Sequence, residues 1–91
     1  MAFYFGESST ARDFLTALWM QADSARRRAI TAAAHRIEQI LTHAGDSVGV
    51  PHPVGQLPTA KRIEVAPLAA VFVYLPTASH VSVIDYLDIG P

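Results

Sequence analysis

Apolar residues fill every position from Leu68 to Leu75 (LAAVFVYL), and β-branched and aromatic residues dominate the stretches before and after it, KRIEV and HVSVIDYL. Interrupted near Pro67 and Pro76, this wording predicts three consecutive strands over about residues 60–66, 68–75 and 79–87. In the last of them Val81, Val83 and Asp85 alternate with Ser82, Ile84 and Tyr86, so only part of the run keeps a clean two-residue period. A strand apolar at every position needs both faces covered. It belongs at the centre of a sheet between two layers, or against its own protein on one face and a partner on the other.

Upstream the period changes. Residues 2–5 form a short apolar strand candidate ended by Gly6. Ser8-Ser9-Thr10 then supplies side-chain oxygens able to accept the unpaired first amides of a helix, and Ala11, Phe14, Leu15, Leu18, Trp19 and Ala22 recur at the three-four spacing of one helical stripe. Trp19, on that stripe, is expected in the core. Asp23-Ser24 offers a second cap, which stops the first helix near Gln21 and starts another at once. With Ile30 as the reference, Ala33, Ala34, Ile37, Ile40, Leu41 and Ala44 fall within about 80° of it on the wheel. Gly45 stands where a C-terminal cap favours a positive φ. These positions predict a second helix of about 20 residues, antiparallel to the first because the connection is so short. Residues 46–59 (DSVGVPHPVGQLPT), with three prolines and two glycines, keep no period and read as a loop. The expected order is β-α-α-β-β-β. It makes an α+β fold, residues 1–91 as a single domain, with a helical hairpin on one face of a mainly antiparallel sheet.

Composition narrows the function classes. The 91 residues are 51% hydrophobic and 16% charged, enough to bury one modest core, and the net charge of -1 supplies no global field for nucleic acid. Without cysteine there is no disulfide, thiolate ligand or thiol nucleophile. The first residues lack the basic lead and apolar length of a secretory signal, and no run approaches a membrane span, so a cytoplasmic protein is expected. The four histidines offer no i, i+4 pair, and the glycines match no phosphate-cradling loop. No metal and no cofactor is expected.

The element order and local wording resemble the RelE/ParE superfamily, the plasmid-stabilisation-type toxins of bacterial toxin-antitoxin modules. The residues carrying the likeness are Ser9, Ala11, Phe14 and Leu15 in the first helix, Ala29, Ile30, Ile37 and Leu41 in the second, and the run Arg62-Ile63-Glu64-Val65-Ala66-Pro67-Leu68. The resemblance implies an antitoxin as partner, wrapping the domain with a helix and an extended segment. The family's ribosome-dependent messenger ribonucleases use several Lys and Arg on the sheet and a C-terminal cluster of basic residues and Tyr to activate a 2′-hydroxyl. Here the corresponding places read Ala69-Ala70-Val71-Phe72 and Tyr86-Leu87-Asp88-Ile89-Gly90-Pro91, and Glu64 stands where a second cation belongs. The gyrase-poisoning branch lacks that equipment too.

The leading expectation is therefore a toxin-like protein that works by binding an antitoxin, and in the gyrase manner a target protein, without hydrolysis. One alternative is a ribosome-dependent messenger RNA endoribonuclease with a rearranged site drawn from Lys61, Arg62 and Tyr86, for which nucleic acid or the ribosome would be the partner. Another is an inert, self-associating or scaffold member of the fold. Candidate partner-binding residues are Arg26, Arg27 and Arg28, whose charges oppose the dipole at a helix start, with Lys61, Arg62, Phe72 and Tyr74 on the strands. A solvated helix face and a charge-guarded strand edge are the plainer readings of the same cations.

Overall fold

A computed structural model describes residues 3–90. Five strands and two helices follow the chain as β1 (Tyr4–Glu7), α1 (Ser9–Gln21), α2 (Ser24–Ala44), β2 (Val50–Pro51), β3 (Lys61–Val65), β4 (Leu68–Leu75) and β5 (His80–Asp88). The expected first strand begins later than its sequence suggested, and position 2 lies outside the described residues. Strand order across the sheet is β1-β5-β4-β3-β2. β1 runs parallel to β5, and every other neighbouring pair is antiparallel. The all-apolar β4 occupies the centre, as its composition requires.

Both helices begin at the expected caps. The Ser8 hydroxyl accepts the Ala11 amide at 3.0 Å, and Asp23 accepts the Arg26 amide at 2.8 Å. Ile30, Ala33, Ile37 and Leu41 of α2 are buried against the sheet. On α1 only Ala11 is buried. Ala11 and Leu18 mark the sheet-facing line of this helix, and Trp19 lies about 80–100° round from them, so the stripe is wider than the surface offered to it. Trp19 is 40% exposed, which corrects its expected place in the core, and Phe14 on the opposite flank is exposed to the same degree.

Gly45 ends α2 in the right-handed region at φ -59, not with a positive φ. The residue is needed for room. A Cβ there would stand 2.2 Å from Val81 Cγ2 and 2.7 Å from the Leu41 carbonyl oxygen, so glycine lets the helix end settle directly onto β5. The expected loop contains the two-residue strand β2, too short to show a period, with its proline tolerated because the strand lies at the sheet edge. Gly49 before it does take a positive φ of 92, and a Cβ would press within 3.0 Å of the Phe72 ring.

A bulge decides which way β5 points. Val71 pairs with Asp85 but Phe72 pairs with Val83, leaving Ile84 as the extra residue. Val81 and Val83 therefore share the helix-facing core with Tyr86, and Asp85 turns outward beside Val71. The partial period of this segment was the trace of that insertion.

Candidate functional site

Side chains alternate along β4. Leu68, Ala70 and Phe72 join the core under the helices, whereas Val71 and Val73 cluster on the other face with Ala60, Ile84 and Leu87. This second face has no helix over it, yet Ala60, Val71 and Val73 are buried there beneath their neighbours, so the polar side chains around them make the first candidate surface. Phe72 is fully buried on the helix side and Tyr74 packs edge-on against Phe3 at 5.3 Å. Phe72, expected to face a partner, is thus core, and on the other face of the strand Val71 and Val73 are buried as well, which leaves Leu75 as its exposed apolar residue.

Cross-strand pairing places the charges. Arg62 is opposite Val71, which is opposite Asp85, so the row across the open face reads cation, apolar residue, carboxylate. Glu64, two residues along and thus on the same face, binds the Arg62 guanidinium at 2.6 Å. Arg62 is the one Arg or Lys on this face among the described residues. Its Nε is buried without a hydrogen-bond partner. Lys61 alternates to the opposite face, opposite Phe72, where it lines a concavity of about 350 Å³ with Asp46, Thr59 and Tyr74.

Tyr86 is 1% exposed, in the core. Its hydroxyl donates to the Glu7 carboxylate. Burial first, then that bond and the negative charges of Glu7 and Glu38, push the phenol far above its ordinary pKa. Lys61, Arg62 and Tyr86 thus stand in three different environments and do not converge. His80 is on the open face beside Leu75, roughly 13 Å along the strands from the Arg62 row. Among the described residues no group of three His, Asp or Glu side chains is placed to hold a metal ion.

The arginine run divides its work. Arg26 pairs with Asp88 at 2.6 Å, fastening the start of α2 to the end of β5, and the Gly90 amide followed by this guanidinium holds Asp88 below its ordinary pKa. Arg27 donates to the Trp19 and Met20 carbonyls at 2.9 and 3.1 Å, and its guanidinium carbon lies 4.4 Å from the centre of the Trp19 ring. It thereby caps the C-terminus of α1, where positive charge is favourable. Arg28 is exposed and makes no ion pair among the described residues. A cation unfavourable to its own helix but a few residues past the end of another was the sequence signal for this cap. Sequence reasoning missed the Glu7–Tyr86 pair, whose members are 79 positions apart.

No family model matches the sequence, and no curated protein does. Among solved structures, the fold is similar to the crystal structure of the RelBE2 toxin-antitoxin complex from Mycobacterium tuberculosis, with a TM-score of 0.75 and 14% identity over 97% of this chain and 92% of that one. It is also similar to the isolated E. coli RelE toxin, with a TM-score of 0.62 and 14% identity over 99% and 87% of the two chains. At that identity the likeness is one of fold, and the α+β arrangement implied by the sequence resemblance is the one this chain adopts.

Proposed function

We propose that this chain is the toxin-like component of a bacterial toxin-antitoxin module, held by an antitoxin and acting through protein binding rather than RNA cleavage. The observation that carries the reading is the sheet face away from the helices, where Arg62 is neutralised by Glu64 with Asp85 in the same row, over the buried side chains of Val71 and Val73. RNA held for in-line attack by a 2′-hydroxyl needs cations on the phosphates and a proton-transfer group that touches the substrate and titrates near the working pH. Tyr86 fits neither part, since its phenol is buried and bound to Glu7. A face whose charged groups sum to a net negative charge suits a protein surface better than a polyanion. The similarity in fold to a toxin-antitoxin complex supports an antitoxin as the natural partner.

Expression of the chain alone in bacteria is expected to arrest growth, and co-expression of the neighbouring open reading frame to restore it with both proteins purifying together. Equal growth in the two cultures with no complex recovered would contradict the reading.

A further inference from the structure

Beside the C-terminal end of α2, on the helix side of the sheet, lies the concavity of about 350 Å³ lined by Asp46, Thr59, Lys61, Phe72, Tyr74 and Pro76. Its walls are fixed. The chain leaving α2 comes down onto the sheet twice, at Gly45 against Val81 and at Gly49 against the Phe72 ring, too closely at each point for a Cβ to fit without displacing its neighbour. Asp46 opens the span between these two contacts, and the Ser47 amide closes the turn there on the Ala44 carbonyl at 3.0 Å. Across the hollow, the Ala60 amide donates to the Leu57 carbonyl at 3.2 Å and the His52 amide to the Ala60 carbonyl at 2.8 Å, which holds the chain in place between Thr59 and Lys61. Tyr74 is set by its edge-on contact with Phe3.

Among the described residues, the side chains of Asp46, Thr59, Lys61 and Tyr74 make no hydrogen bond or ion pair. That sets them apart from Arg26, Arg27 and Arg62, each bound to a partner within the chain. One cation and one carboxylate thus line the same hollow without pairing, around an apolar floor of Phe72 and Pro76. A concavity of this size, with aromatic walls and a few polar groups, has the form of a small-molecule site. Its charges select the ligand. A phosphate or a dicarboxylate would be repelled by Asp46 and a diamine by Lys61, whereas a molecule with one charge of each sign satisfies both groups.

We propose that this concavity binds a zwitterionic α-amino acid with an apolar side chain. The ligand's carboxylate would lie on the Lys61 ammonium and its ammonium on the Asp46 carboxylate, with its side chain against Phe72, Tyr74 and Pro76. Lys61 alternates to the opposite side of the sheet from Arg62, so this site is separate from the face that carries the proposed function and does not depend on that reading.

The test is a titration of the full chain followed by amide NMR shifts, with L-phenylalanine and L-leucine as probes beside phenylpropionate, which lacks the ammonium, and phenylethylamine, which lacks the carboxylate. Both amino acids are expected to move the amides of Asp46, Thr59, Lys61 and Tyr74 saturably, and each analogue to bind at least about ten-fold more weakly than phenylalanine. Lys61→Gln is expected to weaken phenylalanine about ten-fold without weakening phenylethylamine, and Asp46→Asn, at an exposed position, to weaken it about ten-fold without weakening phenylpropionate. Each variant is expected to keep the thermal melt of the native chain. No saturable shift with either amino acid, saturable shifts confined to other parts of the chain, or analogues that bind as tightly as phenylalanine would overturn the proposal. So would folded Lys61→Gln and Asp46→Asn chains that bind phenylalanine as the native chain does.

Discussion

Replacing Phe72 with alanine is expected to remove about 3–5 kcal/mol of stability, whereas Val73→Ala on the neighbouring position costs about 1–2 kcal/mol. Phe72 is fully buried among α2, β4 and β5, and its ring edge also presses against the backbone at Gly49. Its truncation therefore opens a cavity at the centre of the core and loosens the hold on the β2 edge. Val73, 9% exposed, loses two methyl groups from a face with no second layer to collapse into the gap. Against a total of about 5–15 kcal/mol for a small domain, the first change removes a large part of the margin and the second does not. Urea midpoints of the two variants measure the difference. Equal losses would mean that the two faces of β4 are covered alike.

The second large effect is an alkaline loss of stability that belongs to Tyr86. In the folded chain the phenol keeps its proton well above the ordinary value near 10, because burial and the Glu7 carboxylate both disfavour phenolate. In the unfolded chain the phenol gives up its proton near that ordinary value. Below pH ~10 both states are protonated and the contribution is fully present. As pH rises further the unfolded state binds fewer protons than the folded one, so stability falls by about 1.4 kcal/mol per pH unit for this one group. Tyr86→Phe is expected to cost about 1–3 kcal/mol at neutral pH, since the Glu7 carboxylate loses its donor, and to remove that extra slope between pH 10 and 12. The difference between the two proteins' slopes isolates Tyr86 from the other titrating groups. Parallel slopes would show that the phenol is not held in its neutral form by the fold.

Most of the architecture was legible because it is written in local terms. The Ser8 and Asp23 caps, the Ile30–Leu41 stripe and the all-apolar run Leu68–Leu75 each follow from side-chain chemistry within a few residues, and the structure keeps all three. What was not legible depends on tertiary geometry. The Ile84 bulge reverses the face of Tyr86, and nothing in HVSVIDYL distinguishes a bulge from a weak period. Gly45 has the residue type of a left-handed cap, yet its need for glycine comes from Val81, 36 positions away. Trp19 sits on a correct helical stripe of which the fold buries only the line through Ala11.

The candidate site was less legible for the same reason. Lys61, Arg62 and Tyr86 are close in type and in the resemblance, but one-residue alternation separates the first two and the bulge buries the third. The acidic partner of Arg62 was visible in sequence as Glu64, since residues two apart on a strand share a face. Reading Glu64 as a missing cation concealed its role as the counter-charge. In the same way Arg26 and Arg27 looked like a free basic patch, and both are spent on holding the helices in place.

The most direct test of binding without hydrolysis is to map the 5′ ends of messenger RNA on translating ribosomes after adding the purified chain, alongside Arg62→Ala. The expected result is no chain-dependent cleavage with either protein. Cuts within codons that appear with the native chain and vanish with Arg62→Ala would show that the open sheet face breaks RNA after all.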